Sequence, residues 1–498
     1  MRFPFLRCSF VLFLFIQLLP GAWSQRDTLR LALSDAVFLA QSEAPDVVIA
    51  KTRLTNSYWA FQSYLANYRP RIDFEAVLPD LDRSISTITL PSGQDAFIDR
   101  AQMTNFAGIS LRQDIGLTGA TVFASTGLRR IDVFETPNTP GSQSYLSTPV
   151  VIGFEQPLFQ FNPLKWDRET EPLRYEVASR SYAMEMEDVA FGAANLFFDI
   201  LIAQLNEAAA LKDKANADTL LTISRGRFEV GRIAETELLQ IELSAMNADA
   251  ALAQARLDLQ SNTERLRNFL GLTTPVFFSC VPPYDIPVFP VDAERALELA
   301  RQNRAEIVDF DLRVAQARRE LAVAKGNRGL NATLSGSFGL SQTAPNLEGA
   351  YMDPLDQERI RLGLNIPIAD WGKARARVEQ ALTNQALTEM TVAQEKINFE
   401  QEVLLQVQQF DLVRQQVFLA QRAYEVAQKR QEMTRNRYYI GKIGITELNI
   451  AISEQDSARR AYIFALRAFW VAYYDLRRTT LFDFETGESL FRELDGLE

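Results

Sequence analysis

Apolar residues recur along this chain with two periods. From Asn331 to Ser341, Ala332, Leu334, Gly336, Phe338 and Leu340 alternate with Asn331, Thr333, Ser335, Ser337, Gly339 and Ser341. A return segment sets Ile360, Leu362, Leu364, Ile366 and Ile368 against Arg361, Gly363, Asn365 and Pro367. A period of two predicts a strand pair, and about ten residues is the length a tilted strand needs to cross a bilayer. The Ser-, Thr- and Asn-rich face suits a wet lumen. An ordinary half-buried soluble hairpin gives the same alternation, and the pattern alone leaves both readings open.

Elsewhere the period is helical. No Gly or Pro occurs from Lys373 to Ile440, a run that makes about 100 Å of helix at ~1.5 Å per residue. Val403, Val407, Phe410, Val413, Val417, Ala420, Tyr424 and Ala427 follow three-four spacing, with Gln, Glu, Arg and Ala between them. Leu173 to Arg225 echoes this run, interrupted only by Gly192. So polar a helix must pack against partners to be stable. Each long helix ends in a Gly-[Arg/Lys]-Ile turn, at Gly231 and Gly441. Each then restarts as an Ala-rich helix, Leu243 to Leu259 and Ile450 to Arg467, where small residues permit close approach. A further helix is predicted from about Val291 to Lys325.

Two blocks of the chain align with each other. Residues 36–40 match 296–300, an offset of 260, and the same offset carries Ile72, Phe74, Ala76 and Leu78 onto Ala332, Leu334, Gly336 and Phe338. Later the offset is 210: Gly153, Pro157 and Leu158 fall on Gly363, Pro367 and Ile368, Gly231-Arg232-Ile233 on Gly441-Lys442-Ile443, and Thr236-Glu237-Leu238 on Thr446-Glu447-Leu448. The change of offset puts extra residues in the first copy, between Leu78 and Gly153. That insertion holds another alternating pair: Ile109, Leu111, Ile115 and Leu117, then Val122, Ala124 and Leu128, joined near Thr118-Gly119. It either extends a hairpin beyond a membrane or adds strands to a barrel.

Arg2 and Arg7 precede an apolar stretch from Phe10 to Leu19, followed by the small-x-small site Ala22-Trp23-Ser24. Residues 1–24 therefore read as a signal peptide, and the mature chain is expected to start near Gln25 without an acyl group. Cys8 precedes the apolar stretch and does not resemble a lipid-attachment cysteine. No later stretch has eighteen consecutive apolar residues, so any span is expected to be a β-barrel. The predicted divisions are the signal peptide, 1–24; a first helix–hairpin–long helix–helix repeat, 25–272, with the insertion at about 79–152; a linker, 273–291; a second repeat, 292–484; and a tail, 485–498.

Composition narrows the chemistry. The 498 residues carry a formal net charge of −11 with basic residues interleaved among acids, which disfavours nucleic acid. There is no histidine, so the commonest general base and metal ligand are missing. Of the two cysteines, Cys280 alone remains after cleavage, more consistent with a small buried group than with a disulfide. Gly372-Lys373 and Gly441-Lys442 lack the rest of a phosphate loop, and Asn331-Ala332-Thr333, a glycosylation sequon, lies in a predicted strand. No catalytic residue, cofactor or metal site is expected.

The doubled order of elements, the motifs Phe228-Glu229-Val230-Gly231 and Tyr438-Tyr439-Ile440-Gly441, and the strand exits Gln156-Pro157-Leu158-Phe159 and Ile366-Pro367-Ile368 resemble the TolC family of outer-membrane efflux proteins. The resemblance runs from Thr28 to Phe484. It implies a mainly α chain with a membrane β-barrel portion, two structural repeats, and a homotrimer whose three pairs of hairpins form a twelve-stranded barrel in outer-membrane lipid above a periplasmic α-barrel. It implies a passive exit duct of tripartite efflux or type I secretion, opened when its tip docks a periplasmic adaptor coupled to an inner-membrane transporter of RND or ABC type. The competing reading from the residues is a periplasmic coiled-coil scaffold without a pore.

The resemblance also implies site residues. Gly231, Arg232, Ile233, Gly441, Lys442 and Ile443 would form the adaptor-docking tips, although any helical hairpin wants Gly at its turn. Glu447 would line the pore constriction, three copies making a carboxylate ring, with Glu237 and Tyr438 as partners in a latch. A helix-start glutamate favoured by the helix dipole explains Glu447 equally well. Ile450 stands where a companion acid is found, and Ile443 where some members have a latch arginine, so the ring would be single and the latch incomplete.

Overall fold

Residues 28–89, 91–136, 140–440, 442–443 and 445–491 are described in a computed structural model of the chain. The expected signal peptide with Cys8, Gly441 and the end of the tail lie outside the described residues.

In chain order the elements are β1 (Thr28–Leu31), α1 (Leu33–Glu43), α2 (Pro45–Ala66), β2 (Arg71–Thr89), β3 (Asp95–Ile115), β4 (Ala120–Val133), β5 (Ser142–Leu158), α3 (Pro163–Glu229), α4 (Glu235–Phe269) and β6 (Phe277–Cys280). Then come α5 (Ala293–Asn303), α6 (Ala305–Gly326), β7 (Asn331–Ala344), β8 (Leu355–Asn365), α7 (Lys373–Tyr439), α8 (Ile445–Thr480), β9 (Phe482–Asp483) and β10 (Glu488–Ser489). The order two helices, strands, long helix, helix occurs twice. The first passage has four long strands and the second has two.

The long helices α3 and α7 are 67 residues each, and both their first and their last residues are 210 positions apart. The helix expected from Val291 to Lys325 is two helices, broken at Arg304, whose backbone is extended (φ −69, ψ 138). Ala44 makes the same break between α1 and α2 (φ −59, ψ 140), 260 positions earlier. There Pro45 forces it, because a following proline disfavours helical backbone. No proline follows Arg304; its guanidinium instead turns to Glu306. Gly192 does not interrupt α3: a Cβ there would lie 2.9 Å from the Phe269 ring, so the glycine permits close helix approach.

Contacts divide the chain into two units. One comprises the described part of Met1–Pro45 with Val189–Ile286 and Gln415–Val471. Its core is Phe197, Phe198, Ile200, Leu266, Leu270, Ile463, Leu466 and Phe469, all under 2% exposed. Here β1 pairs in parallel with β6, and the Gln204 side-chain amide clamps the latter, donating to the Phe278 carbonyl (2.6 Å) and accepting from the Cys280 N–H (3.2 Å).

The other unit comprises Asp46–Asp188, Pro287–Arg414 and the described part of Ala472–Glu498. Val403, Val407, Phe410 and Val413 are buried here, as the spacing predicts, and Phe289 stacks on Phe410 at 5.5 Å. The unit carries a six-stranded antiparallel sheet in the order β2-β3-β4-β5-β7-β8. The resemblance implied two hairpins per chain, hence four strands; the sheet has six, because the insertion supplies β3 and β4. By length and composition α3 alone among the described helices passes as a membrane span, which consecutive apolar residues did not show, but half of that stretch is buried within the chain.

Candidate functional site

Two regions carry the predicted site residues. In the part of the sheet next to the helices, cross-strand pairing mostly puts like with like. Ile72 and Phe74 on β2 face Leu111 and Ile109 on β3; Leu111 faces Ala124 on β4, which faces Ile152 on β5. Ile152 faces Phe338 on β7; there Leu334 and Gly336 face Leu362 and Ile360 of β8, while Phe338 itself faces Glu358, where the apolar run of β8 ends. These side chains make one apolar face, and its large members stand exposed: Ile72 at 71%, Ile152 at 56%, Ile360 at 85%. The opposite face holds Arg71, Asp73 and Glu75 on β2, Ser110 and Arg112 on β3, Ser125 on β4, Glu155 on β5, Ser335 and Ser337 on β7, and Arg359 and Arg361 on β8. Large exposed apolar side chains on one face and charges on the other suit lipid outside and water inside. On the polar face the Phe106 ring covers Gly108 and Gly127, and Phe123 covers Gly153, so the aromatics fill what the glycines leave open.

Aromatic residues mark where the strands leave the sheet. Phe159 (φ 64) follows β5 and Trp371 (φ 54) precedes α7, both in left-handed backbone that bulky residues rarely adopt. Phe159 is 71% exposed and Trp371 97%. Aromatic side chains at strand ends are what a bilayer–water boundary selects. The Asp370 carboxylate accepts from the N–H groups of Ala374 (2.8 Å) and Gly372 (3.0 Å) and so starts α7; these bonds hold its carboxyl below the usual carboxylate range.

The second region is the pair of turns at the long-helix ends. After α3, the Gly231 N–H donates to the Phe228 carbonyl and the Arg232 N–H to the Arg227 carbonyl, both at 2.8 Å. This is a Schellman cap, and Gly231 takes its left-handed position at φ 70. After α7, Lys442 donates to the Arg437 carbonyl at 3.0 Å, the same bond 210 positions on. Arg232 and Lys442 are exposed; Ile233 and Ile443 are half-buried. Glu237 and Glu447 lie exposed in the first turns of α4 and α8. Gly441 and the side chain of Tyr438 lie outside the described residues, and so does the expected contact of Tyr438 with Glu237.

One cluster escaped the sequence reading. Arg477 on α8 donates through Nε and Nη2 to both carboxylate oxygens of Glu187 (3.0 and 3.2 Å) and through Nη1 to Asp483 (3.0 Å), while the Tyr473 hydroxyl meets Asp483 at 3.2 Å. Glu187 and Asp483 are 4% and 6% exposed. Nothing in the sequence marks residues 290 positions apart as partners. Cys280 is buried, and burial pushes its thiol up to about 12, which leaves it protonated and unreactive. Among the described residues no group of His, Cys, Asp or Glu is placed to hold a metal ion.

The outer membrane efflux protein family model matches residues 78–272 and 296–480. TolC of Vibrio cholerae is 23% identical over 239 residues, 46% of this chain and 53% of that protein. The outer membrane efflux protein BepC of Brucella suis is 25% identical over 218 residues, 42% of this chain and 45% of that one. The chain thus spans about half the length of the curated relatives it matches. Among solved structures, the Campylobacter jejuni CmeC outer membrane channel has the same fold, with a TM-score of 0.62 at 16% identity, covering 92% of this chain and 87% of that one.

Proposed function

The chain belongs to the outer membrane efflux protein family, and from that premise we propose that it is the passive exit duct of a tripartite efflux or type I secretion system. The observation that carries this reading is the two-faced sheet, exposed and apolar on one side and charged on the other. In this reading the two passages of the chain are an internal duplication and three copies assemble around a shared pore. The turns at Arg232-Ile233 and Lys442-Ile443 dock a periplasmic adaptor, which couples the duct to an inner-membrane transporter. The half-buried isoleucines and exposed cations, repeated at the same offset, offer a compact apolar spot ringed by charge.

Glu447 forms a ring at the periplasmic constriction, and Tyr438 helps hold it closed against Glu237. Like charges so placed attract cations and repel anions. Replacing Tyr438 with Phe removes only a hydroxyl and is expected to raise conductance. The test of the duct is fractionation with outer membranes together with channel conductance in planar bilayers. Recovery as a soluble periplasmic protein that conducts nothing would establish the scaffold reading instead.

A further inference from the structure

The inserted strands bear on the size of the pore. Along β3 and β4 the ladder is unbroken from Gln102↔Val133 to Ile115↔Ala120, and β4 is paired with β5 along most of its length. The apolar face continues across them: Ile109 and Leu111 lie in line with Phe74 and Ile72 on one side, and Leu111 reaches Ile152 through Ala124 on the other, while Ile109 faces Thr126 at the bulge between β4 and β5. A hairpin standing outside a bilayer has no need of a lipid-compatible face on this depth of strand. The part of the insertion that does leave the common sheet is different. Beyond Gln102 only β2 and β3 remain paired, from Arg83↔Ala101 to Thr89↔Asp95, about 20 Å of two-stranded ribbon at ~3.4 Å per residue. Its chemistry is mixed, with Asp82 paired to Arg100 at 3.6 Å.

The outer edges of β2 and β8 have no strand partner among the described residues. All eleven residues of β8 are exposed, and it contains no proline that would bar a further strand from pairing. In lipid, two such rows of unmet N–H and C=O groups are not tolerated. A sheet of six strands is too narrow to close on itself around side chains, which takes about eight. Because six is even, β8 and β2 run in opposite directions, so β8 of one copy meets β2 of the next in antiparallel pairing. The chemistry of the two edges also matches. On the apolar face, Ile360, Leu362 and Leu364 meet Ile72 and Phe74. On the polar face β8 carries the cations Arg359 and Arg361 and β2 the anions Asp73 and Glu75, Asp73 also pairing with Arg71 of its own strand at 2.8 Å.

We propose that β3 and β4 are part of the barrel wall, so that each copy contributes six strands and three copies close an eighteen-stranded barrel, sealed by β8 of one copy against β2 of the next with Arg359 and Arg361 beside Asp73 and Glu75. This rests on the trimeric duct reading above. Barrel diameter grows about linearly with strand number, so the pore in the membrane is about one and a half times as wide as a twelve-stranded one.

Cysteine pairs in the full-length protein, in membranes, test both parts. Within one chain β2 and β8 are five strand spacings apart, about 24 Å, far beyond the ~7 Å a disulfide allows between Cα atoms. A bond between them therefore joins two copies. Arg361→Cys combined with Asp73→Cys or with Glu75→Cys is expected to give oxidised dimers and trimers in at least one combination, and Ser337→Cys with Asp73→Cys none. Cys280 is buried and silent. A membrane-impermeant maleimide is expected to label Ser110→Cys, facing the lumen, at least tenfold faster than Ile109→Cys, facing lipid. Equal labelling of both would put β3 and β4 outside the bilayer and return the wall to twelve strands, with the duct reading intact if trimers and conductance persist. No cross-link in either combination from a protein that still forms conducting trimers would overturn the seam. Absence of trimers and conductance altogether would instead remove the duct reading on which the inference stands.

Discussion

Carboxylates occupy opposite surroundings in the two units of this chain. In one, Glu187 and Asp483 close around Arg477 with almost no exposure. In the other, Glu237 and Glu447 stand exposed at the starts of α4 and α8. The first arrangement is complete within one copy, since each charge has its partner and the cluster fixes how the last turns of α8 and the β9–β10 hairpin meet α3. The second stands at helix starts, where the helix dipole favours an acid. A buried charge is explained by its neighbours; an exposed one at a helix start is explained by the helix dipole or by what meets it in an assembly.

The largest effect is expected from breaking the buried side of this contrast. Arg477→Met leaves Glu187 and Asp483 without their cation, and loss of one partner of a buried ion pair costs about 3–5 kcal/mol. Unfolding followed by circular dichroism in detergent should show a loss of that order, with part of it restored by adding Glu187→Gln. A wild-type transition in Arg477→Met would mean that water reaches the cluster and that the two regions do not differ.

Backbone geometry gives the next effect. Gly231 has open space around it but sits at φ 70, so Gly231→Ala introduces strain and no clash. The cost is about 1–2 kcal/mol, confined to the turn, and hydrogen exchange should be faster at the Gly231 and Arg232 amides than in the body of α3. Unchanged protection would show that the turn is held by something other than its cap. In the proposed duct the same variant should weaken adaptor binding.

How much of this was legible varied with the physics involved. The absence of Gly and Pro fixed α7 to within a residue, whereas Leu173–Arg225 fell short of α3 at both ends, because Pro172 and Gly226 both lie inside that helix. Gly192 looked like an interruption and is a packing contact with Phe269. A proline marks the break before Pro45, whereas its counterpart at Arg304 has no such mark. Alternation disclosed the strands of the insertion but not their place in the sheet, because pairing order is a long-range property that local pattern does not encode. The exits Gln156-Pro157-Leu158-Phe159 and Ile366-Pro367-Ile368 were recognisable as motifs, yet the left-handed backbone at Phe159, and at Trp371 beyond the second exit, was not. The turn glycines were plain from spacing. The pairing of Arg477 with Glu187 was beyond reach for want of any local mark.

The smallest expected change in stability accompanies the sharpest test of function. Glu447→Gln removes one exposed charge from the first turn of α8, where the helix dipole favours an acid by no more than about 1 kcal/mol. Its unfolding transition should nearly overlay that of the wild type, in contrast to Arg477→Met. If three copies of Glu447 ring a constriction, the variant should lose cation preference and block by multivalent cations in a planar bilayer, because both depend on the summed charge at the narrowest point. Glu237→Gln serves as the control at the equivalent place in the other turn, and its effect on selectivity should be smaller, since the latch and not the ring is assigned to it. Equal effects from the two would mean that both turns line the constriction. Wild-type selectivity and cation block in Glu447→Gln would take the ring away from α8 and leave its glutamate as an ordinary helix-start acid.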